Sequence, residues 1–168
     1  GFTGANANTI VLDNDLHHFV WNAIGTTQTR GVPFSVTITA KDVNEVTIAS
    51  YTSPATLSAA GTGGALTITP TTTGAFTSGV WTGNVTVNTF DPAAVLTATN
   101  AGKTGASNAF NVTTGSLASF AWDTQASRSR GANVDATVTA RDAGGNTVTS
   151  YSGTANLSGY VANAAHPG

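Results

Sequence analysis

The residues able to do chemistry are few and thinly spread. Glu45 is the only glutamate among eight acidic residues, and no serine sits in a G-x-S-x-G turn. Hydrolysis needs either a positioned carboxylate pair or a nucleophile with its base. Neither pattern is written here, so no catalytic and no cofactor-binding residue is assigned and the chain is expected not to be an enzyme. His17 and His18 are metal-ligand types, but neighbours in a strand face opposite sides, and the matching positions later in the chain are Ala118 and Ser119. They are expected to be local surface or core-edge histidines. Asp13-Asn14-Asp15 is the one cluster of oxygen donors, and Asp13 and Asp15 are the candidate ligands for a calcium ion, with Asp42 or Glu45 from a nearby loop. A solvated turn is the competing reading, since Asp and Asn favour turns without any ion. Apart from that calcium, no cofactor is expected.

Composition narrows the partners. Only 8% of residues are charged and the net charge is -2, against roughly 25% charged in an average domain. Phosphate binding needs clustered Lys and Arg, and six scattered cations do not supply them, so nucleic acid is excluded as a partner. No apolar run approaches the ~18 residues of a membrane span, so no insertion into a membrane is expected. Threonine, valine, alanine, glycine and asparagine dominate, which is the chemistry of strands and turns. There is no cysteine, so no disulfide staples the fold.

The elements that would carry any site come from a repeat. Arg30 to Ser58 (RGVPFSVTITAKDVNEVTIASYTSPATLS) and Arg130 to Ser158 (RGANVDATVTARDAGGNTVTSYSGTANLS) keep one register without a gap. Leu16 to Trp21 matches Leu117 to Trp122, one residue out of step, and Gly4 to Leu12 matches Thr104 to Val112. A period near 100 residues suits one sandwich per copy. Within each copy the alternation is that of half-buried strands. Phe34, Val36, Ile38 and Ala40 share one face in the first, and Val134, Ala136, Val138 and Ala140 in the second. Phe19 with Trp21, and Phe120 with Trp122, are expected to anchor the two cores, as is Trp81 with Val85 and Val87. Asp142 to Asn146 reads as a tight turn leading into a strand at Thr147 to Ser150, whereas Asp42 to Glu45, lacking glycine, predicts a looser turn. Further strands are expected at Ala65 to Thr69, Val80 to Phe90, Val95 to Asn100 and Ala109 to Thr113, with Asp91-Pro92 as a break. About seven strands in ~100 residues make an immunoglobulin-like sandwich.

The stretches VTARDAGGNTVTSYSGTANLS and FTSGVWTGNVTV resemble the bacterial immunoglobulin-like repeats of large surface and secreted proteins, of the invasin and intimin type. The expected fold is all-β: tandem immunoglobulin-like β-sandwiches of about seven strands each. Residues 1–15 would be the last strand of a preceding repeat plus a linker, 16–114 a complete domain, and 115–168 the first half of a second. The resemblance implies an extracellular or cell-surface stalk or fibre segment. Its partners would be neighbouring repeats, other copies of the chain, and a surface glycan or protein receptor. Two alternatives stand beside it. One is a filament subunit completed by strand exchange between chains; the other is an accessory carbohydrate-binding module of a secreted enzyme. The latter needs an exposed aromatic platform, and Trp21, Trp81 and Trp122 all lie on expected core faces. The outward Thr37, Thr39, Thr82, Thr86, Thr137 and Thr139 follow from β-propensity alone.

Overall fold

Period-two alternation becomes strand where β-branched residues alternate with polar ones, as at Phe34–Lys41, and the described residues hold twelve strands in all. The computed structural model describes residues 14–127, 129, 131–133 and 135–158, so Asp13, the Gly4 to Leu12 strand, Val134 and His166 lie outside the described residues. In order the strands are β1 (His18–Trp21), β2 (Thr27–Thr29), β3 (Phe34–Lys41), β4 (Thr56–Gly61), β5 (Gly64–Ala65), β6 (Ile68–Thr69), β7 (Val80–Val87), β8 (Asp91–Asn100), β9 (Lys103–Ala106), β10 (Phe110–Thr113), β11 (Ser119–Trp122) and β12 (Val138–Arg141). No helix occurs among the described residues.

Two sheets hold the first ten strands. One has the order β1-β3-β7-β6; the other has β2-β10-β8-β4-β5, with β9 also paired to β8. Val36, Ile38, Ala40, Val85 and Val87 from the first sheet meet Leu57, Ala59, Ala94, Leu96, Phe110 and Val112 from the second in one buried cluster. Each fully buried Val, Leu, Ile or Phe contributes about 1.5–3 kcal/mol, so this cluster is what holds the sandwich closed. On the outer face the expected threonine rows meet: Thr37 and Thr82 are register partners, and their hydroxyls lie 2.9 Å apart. Trp81 is only half-buried. Its ring lies over Gly83, where a Cβ would come within 2.3 Å of it.

The third sheet, β11 with β12, repeats the β1–β3 pairing residue for residue. Phe19 faces Ala40 and Trp21 faces Ile38; Phe120 faces Ala140 and Trp122 faces Val138. The flanking bonds agree as well, His17 N to Lys41 O and Ala118 N to Arg141 O both being 2.8 Å.

Several expectations need correcting. Thr147 to Ser150 is not a strand: only a single bridge joins Arg141 to Thr147, as one joins Lys41 to Thr47. Asp91-Pro92 opens β8 rather than interrupting it, because the Asp91 carboxylate caps the chain there by accepting Ala93 N–H at 2.8 Å. The strand at Lys103–Ala106 has no apolar alternation to announce it. The Asp42 turn is no looser than its counterpart: Asp42 N bonds Val46 O as Asp142 N bonds Asn146 O, each at 3.0 Å. Glycine is replaced there by Glu45, held at φ 63°, where Gly145 takes φ 77°. A left-handed non-glycine residue costs about 1–2 kcal/mol. The exposed His18–Glu45 contact at 3.3 Å offsets little of this. Glu45→Gly is therefore expected to raise unfolding stability by about 0.5–1 kcal/mol in a denaturant titration.

Candidate functional site

Two features lie outside the closed core: the joint between the sandwich and the β11–β12 pair, and the face that pair leaves open. The joint is built on the Asp142–Asn146 turn. Asp142 is 2% exposed, and its Oδ1 accepts from Gly144 N at 2.9 Å and Asn146 N at 2.8 Å. Its Oδ2 accepts from Gly115 N at 2.7 Å, a residue of the connection leaving β10. Asn146 is buried beside it and donates Nδ2–H to Arg30 O at 2.7 Å. Gly144 rests directly on the sandwich, where a Cβ would stand 2.2 Å from Arg30 O.

Arg30 in turn is fixed from three sides. Its N–H bonds Thr113 O at 2.9 Å, its Nε–H bonds Asn88 O at 2.8 Å, and its guanidinium lies 4.7 Å over the Phe90 ring. Thus a side-chain amide from the turn after β12 reaches the backbone carbonyl of a residue that is itself held at the end of β2. The difference between the two turns now has a cause. Gly144 and Asn146 face the sandwich, whereas Asn44 and Val46 in the first turn are exposed.

The joint carries an acid sensitivity. Burial pushes the Asp142 carboxyl up, but the Asn146 amide and the Gly115, Asn146 and Gly144 N–H groups outweigh it and hold it below the usual carboxylate range. Asp91 is also held low, chiefly by the Ala93 N–H and further by Thr62 and Gly63, against a desolvation that raises it. Carboxylates depressed in the folded state stabilise it fully above the ordinary value of about 3.9 and lose that contribution as pH falls through their folded values. Melting temperature is therefore expected to drop steeply only below about pH 4, and an Asp91→Asn/Asp142→Asn double variant to show a shallower drop.

The second feature is apolar. Phe120 is 38% exposed and Trp122 56%, whereas Phe19 is 2% and Trp21 9% exposed. The expectation that Phe120 and Trp122 anchor a second core fails among the described residues because no strand lies over them. Trp122 is accordingly an exposed aromatic. With Val138, Ala140, Val148, Tyr151 and Ala155, Phe120 lines a groove of about 440 Å³. The Phe120 and Tyr151 rings meet edge-on at 5.4 Å, matching Phe19 and Tyr51 at 5.8 Å.

Of the candidate calcium ligands, Asp13 lies outside the described residues. Asp15 is exposed, and among the described residues no group of three His, Cys, Asp or Glu side chains could hold an ion. His17 and His18, expected on opposite sides, place their Nδ1 atoms 3.1 Å apart, since His17 precedes the strand. Sequence reasoning missed Gly115, Asn146 and Arg30 as a joint; the one signal was the glycine and asparagine that distinguish the second turn from the first. No protein-family model matches the chain, and no curated protein matches it either.

Proposed function

We propose that the chain is a non-catalytic structural segment of an extracellular stalk or fibre, built from successive immunoglobulin-like units. The strand order supports the immunoglobulin-like reading: β1 and β2 act as one edge strand divided between the two sheets, antiparallel to β3 on one side and parallel to β10 on the other. The identical register of β1–β3 and β11–β12 supports the tandem reading.

The observation that carries the role is the Asn146–Arg30 bond with its Asp142–Gly115 partner. A shaft must transmit orientation from unit to unit, and a connection left free would behave as a swivel. Here the linker backbone and the neighbouring turn are tied to the same carboxylate, so bending requires breaking hydrogen bonds worth about 0.5–1.5 kcal/mol each. The chain has no cysteine, so spin labels at Ser58→Cys and Ser150→Cys report a single distance across the joint. A narrow distribution is expected, and Asn146→Ala is expected to broaden it without lowering the sandwich's melting temperature. A broad distribution in the parent chain would sink the shaft reading.

The open face favours a second reading, in which chains assemble end to end through strands supplied by a neighbour. Exposed Phe120 and Trp122 support it, since apolar faces of this kind mark association surfaces. An accessory carbohydrate-binding role gains less. Among the three tryptophans Trp21 is buried and Trp81 half-buried, so Trp122 offers no multi-ring platform.

A further inference from the structure

Three positions at which the two copies of the repeat differ come together at one spot. The β1–β3 register pairs His18 with Lys41, so the turn that follows Lys41 stands beside the start of β1. Glu45 of that turn places its Oε1 3.3 Å from His18 Nε2. His17, which precedes the strand, places its Nδ1 3.1 Å from His18 Nδ1. In the second copy the equivalent register pair is Ser119 with Arg141, and Ala118, Ser119 and Gly145 stand where His17, His18 and Glu45 stand. Both imidazoles and the carboxylate are thus present together in one copy and absent together from the other. Glu45 keeps its place at φ 63°, against 77° for Gly145, a backbone cost that glycine does not carry. Such strain persists at sites where the side chain itself has a use.

We propose that His17 and His18 chelate one divalent transition ion through their two Nδ1 atoms, with Glu45 as the carboxylate that orients His18. An imidazole nitrogen bonds such an ion at about 2.0–2.1 Å, which sets two nitrogens on one ion about 2.9 Å apart at a right angle and about 3.3 Å apart at the tetrahedral angle. The Nδ1 pair, at 3.1 Å, stands between these separations. Glu45 supplies the orientation. By accepting Nε2–H it leaves the His18 lone pair on Nδ1, and a carboxylate on the far nitrogen is a common partner of a metal-bound histidine.

The surroundings suit the ion. The His18 side chain is only 25% exposed and held by its strand, whereas His17 is exposed, so its ring turns to aim without disturbing the ladder. Lys41, the cation across the ladder, has its ammonium held by Thr47 Oγ1 at 3.0 Å. Two imidazole nitrogens, with water in the remaining positions, suit zinc or copper(II), and copper(II) binds such a site the more tightly. Calcium, which takes oxygen ligands, is not served by this pair.

Titration of the full chain with Cu2+, followed by calorimetry and electron paramagnetic resonance, tests the site. The chain has no cysteine, so no thiol competes. The parent is expected to bind one equivalent with a spectrum split by two imidazole nitrogens. His17→Ala and His18→Ala are each expected to weaken binding by about tenfold or more, and His166→Ala to leave it unchanged. Glu45→Gly installs the residue that the second copy has at this turn, so it is expected to melt no lower than the parent while losing about tenfold in affinity. Ring nitrogen chemical shifts are expected to show His18 protonated on Nε2 in the metal-free parent and as a mixture of tautomers in Glu45→Gly. A parent chain that does not bind, or binding that survives in the His17→Ala/His18→Ala double variant, would overturn the site. Affinity and tautomer both unchanged in Glu45→Gly would overturn the role given to Glu45.

Discussion

Gly105→Val is expected to lower the stability of the sandwich by about 3 kcal/mol or more, read as a shifted denaturation midpoint. The position has no room: its Cβ would meet the Phe19 carbonyl oxygen at 1.9 Å and carbon at 2.5 Å. Both are backbone atoms that cannot swing aside. Valine therefore moves β9 away from β1, and two losses follow. The Trp21 indole, in a residue only 9% exposed, loses its acceptor Gly105 O, and a buried donor left unmade costs about 1–3 kcal/mol. The core edge beside Phe19 also opens to water. Trp21→Phe separates the contributions. It keeps an aromatic ring in the core, removes the N–H and part of the buried ring, and is expected to cost less than Gly105→Val. An equal midpoint for Gly105→Val and the parent chain would contradict the crossing geometry.

That crossing also marks where sequence reading stops. Strand β3 was legible because Val36, Ile38 and Ala40 alternate with polar residues, and all three are buried as their period requires. Strand β9 was not, because Lys103-Thr104-Gly105-Ala106 holds its place through the β8 ladder and a backbone-to-backbone approach, neither of which leaves a hydrophobic period. Trp122 shows the complementary limit. Alternation places Trp122 correctly on the same face as Phe120, but burial depends on what lies opposite, which no local pattern encodes. The joint was hidden for a third reason. Asn146 and Gly144 contact Arg30 across more than a hundred residues, and in the sequence they look like ordinary turn residues. Glu45, by contrast, misled through composition: a turn without glycine reads as a different turn, yet the backbone adopts the same one and carries the strain.

Phe76→Ala is expected to cost about 3–5 kcal/mol, the range for emptying an aromatic site in a core, and to turn the closed half of this molecule into a copy of its open half. Phe76 is 2% exposed. Its ring stands 5.7 Å from Phe19 and 5.1 Å from Tyr51, filling the slot between the two rings that β1 and the turn after β3 present. Phe120 and Tyr151 form the same edge-on pair, and no described residue fills their slot, so a groove remains there. Removing Phe76 creates that groove over Phe19. The variant is therefore expected to gain affinity for small aromatic probes at the Phe19–Tyr51 slot, detected by chemical-shift changes of Phe19 and Tyr51, together with its lower melting temperature. If the melting temperature falls but no probe enters, the slot has collapsed, and the Phe120–Tyr151 groove then owes its shape to β11–β12 themselves rather than to a missing aromatic. If probes enter both slots alike, the groove over Phe120 is a preformed socket for a ring. In that case a large apolar side chain must accompany any strand that closes it.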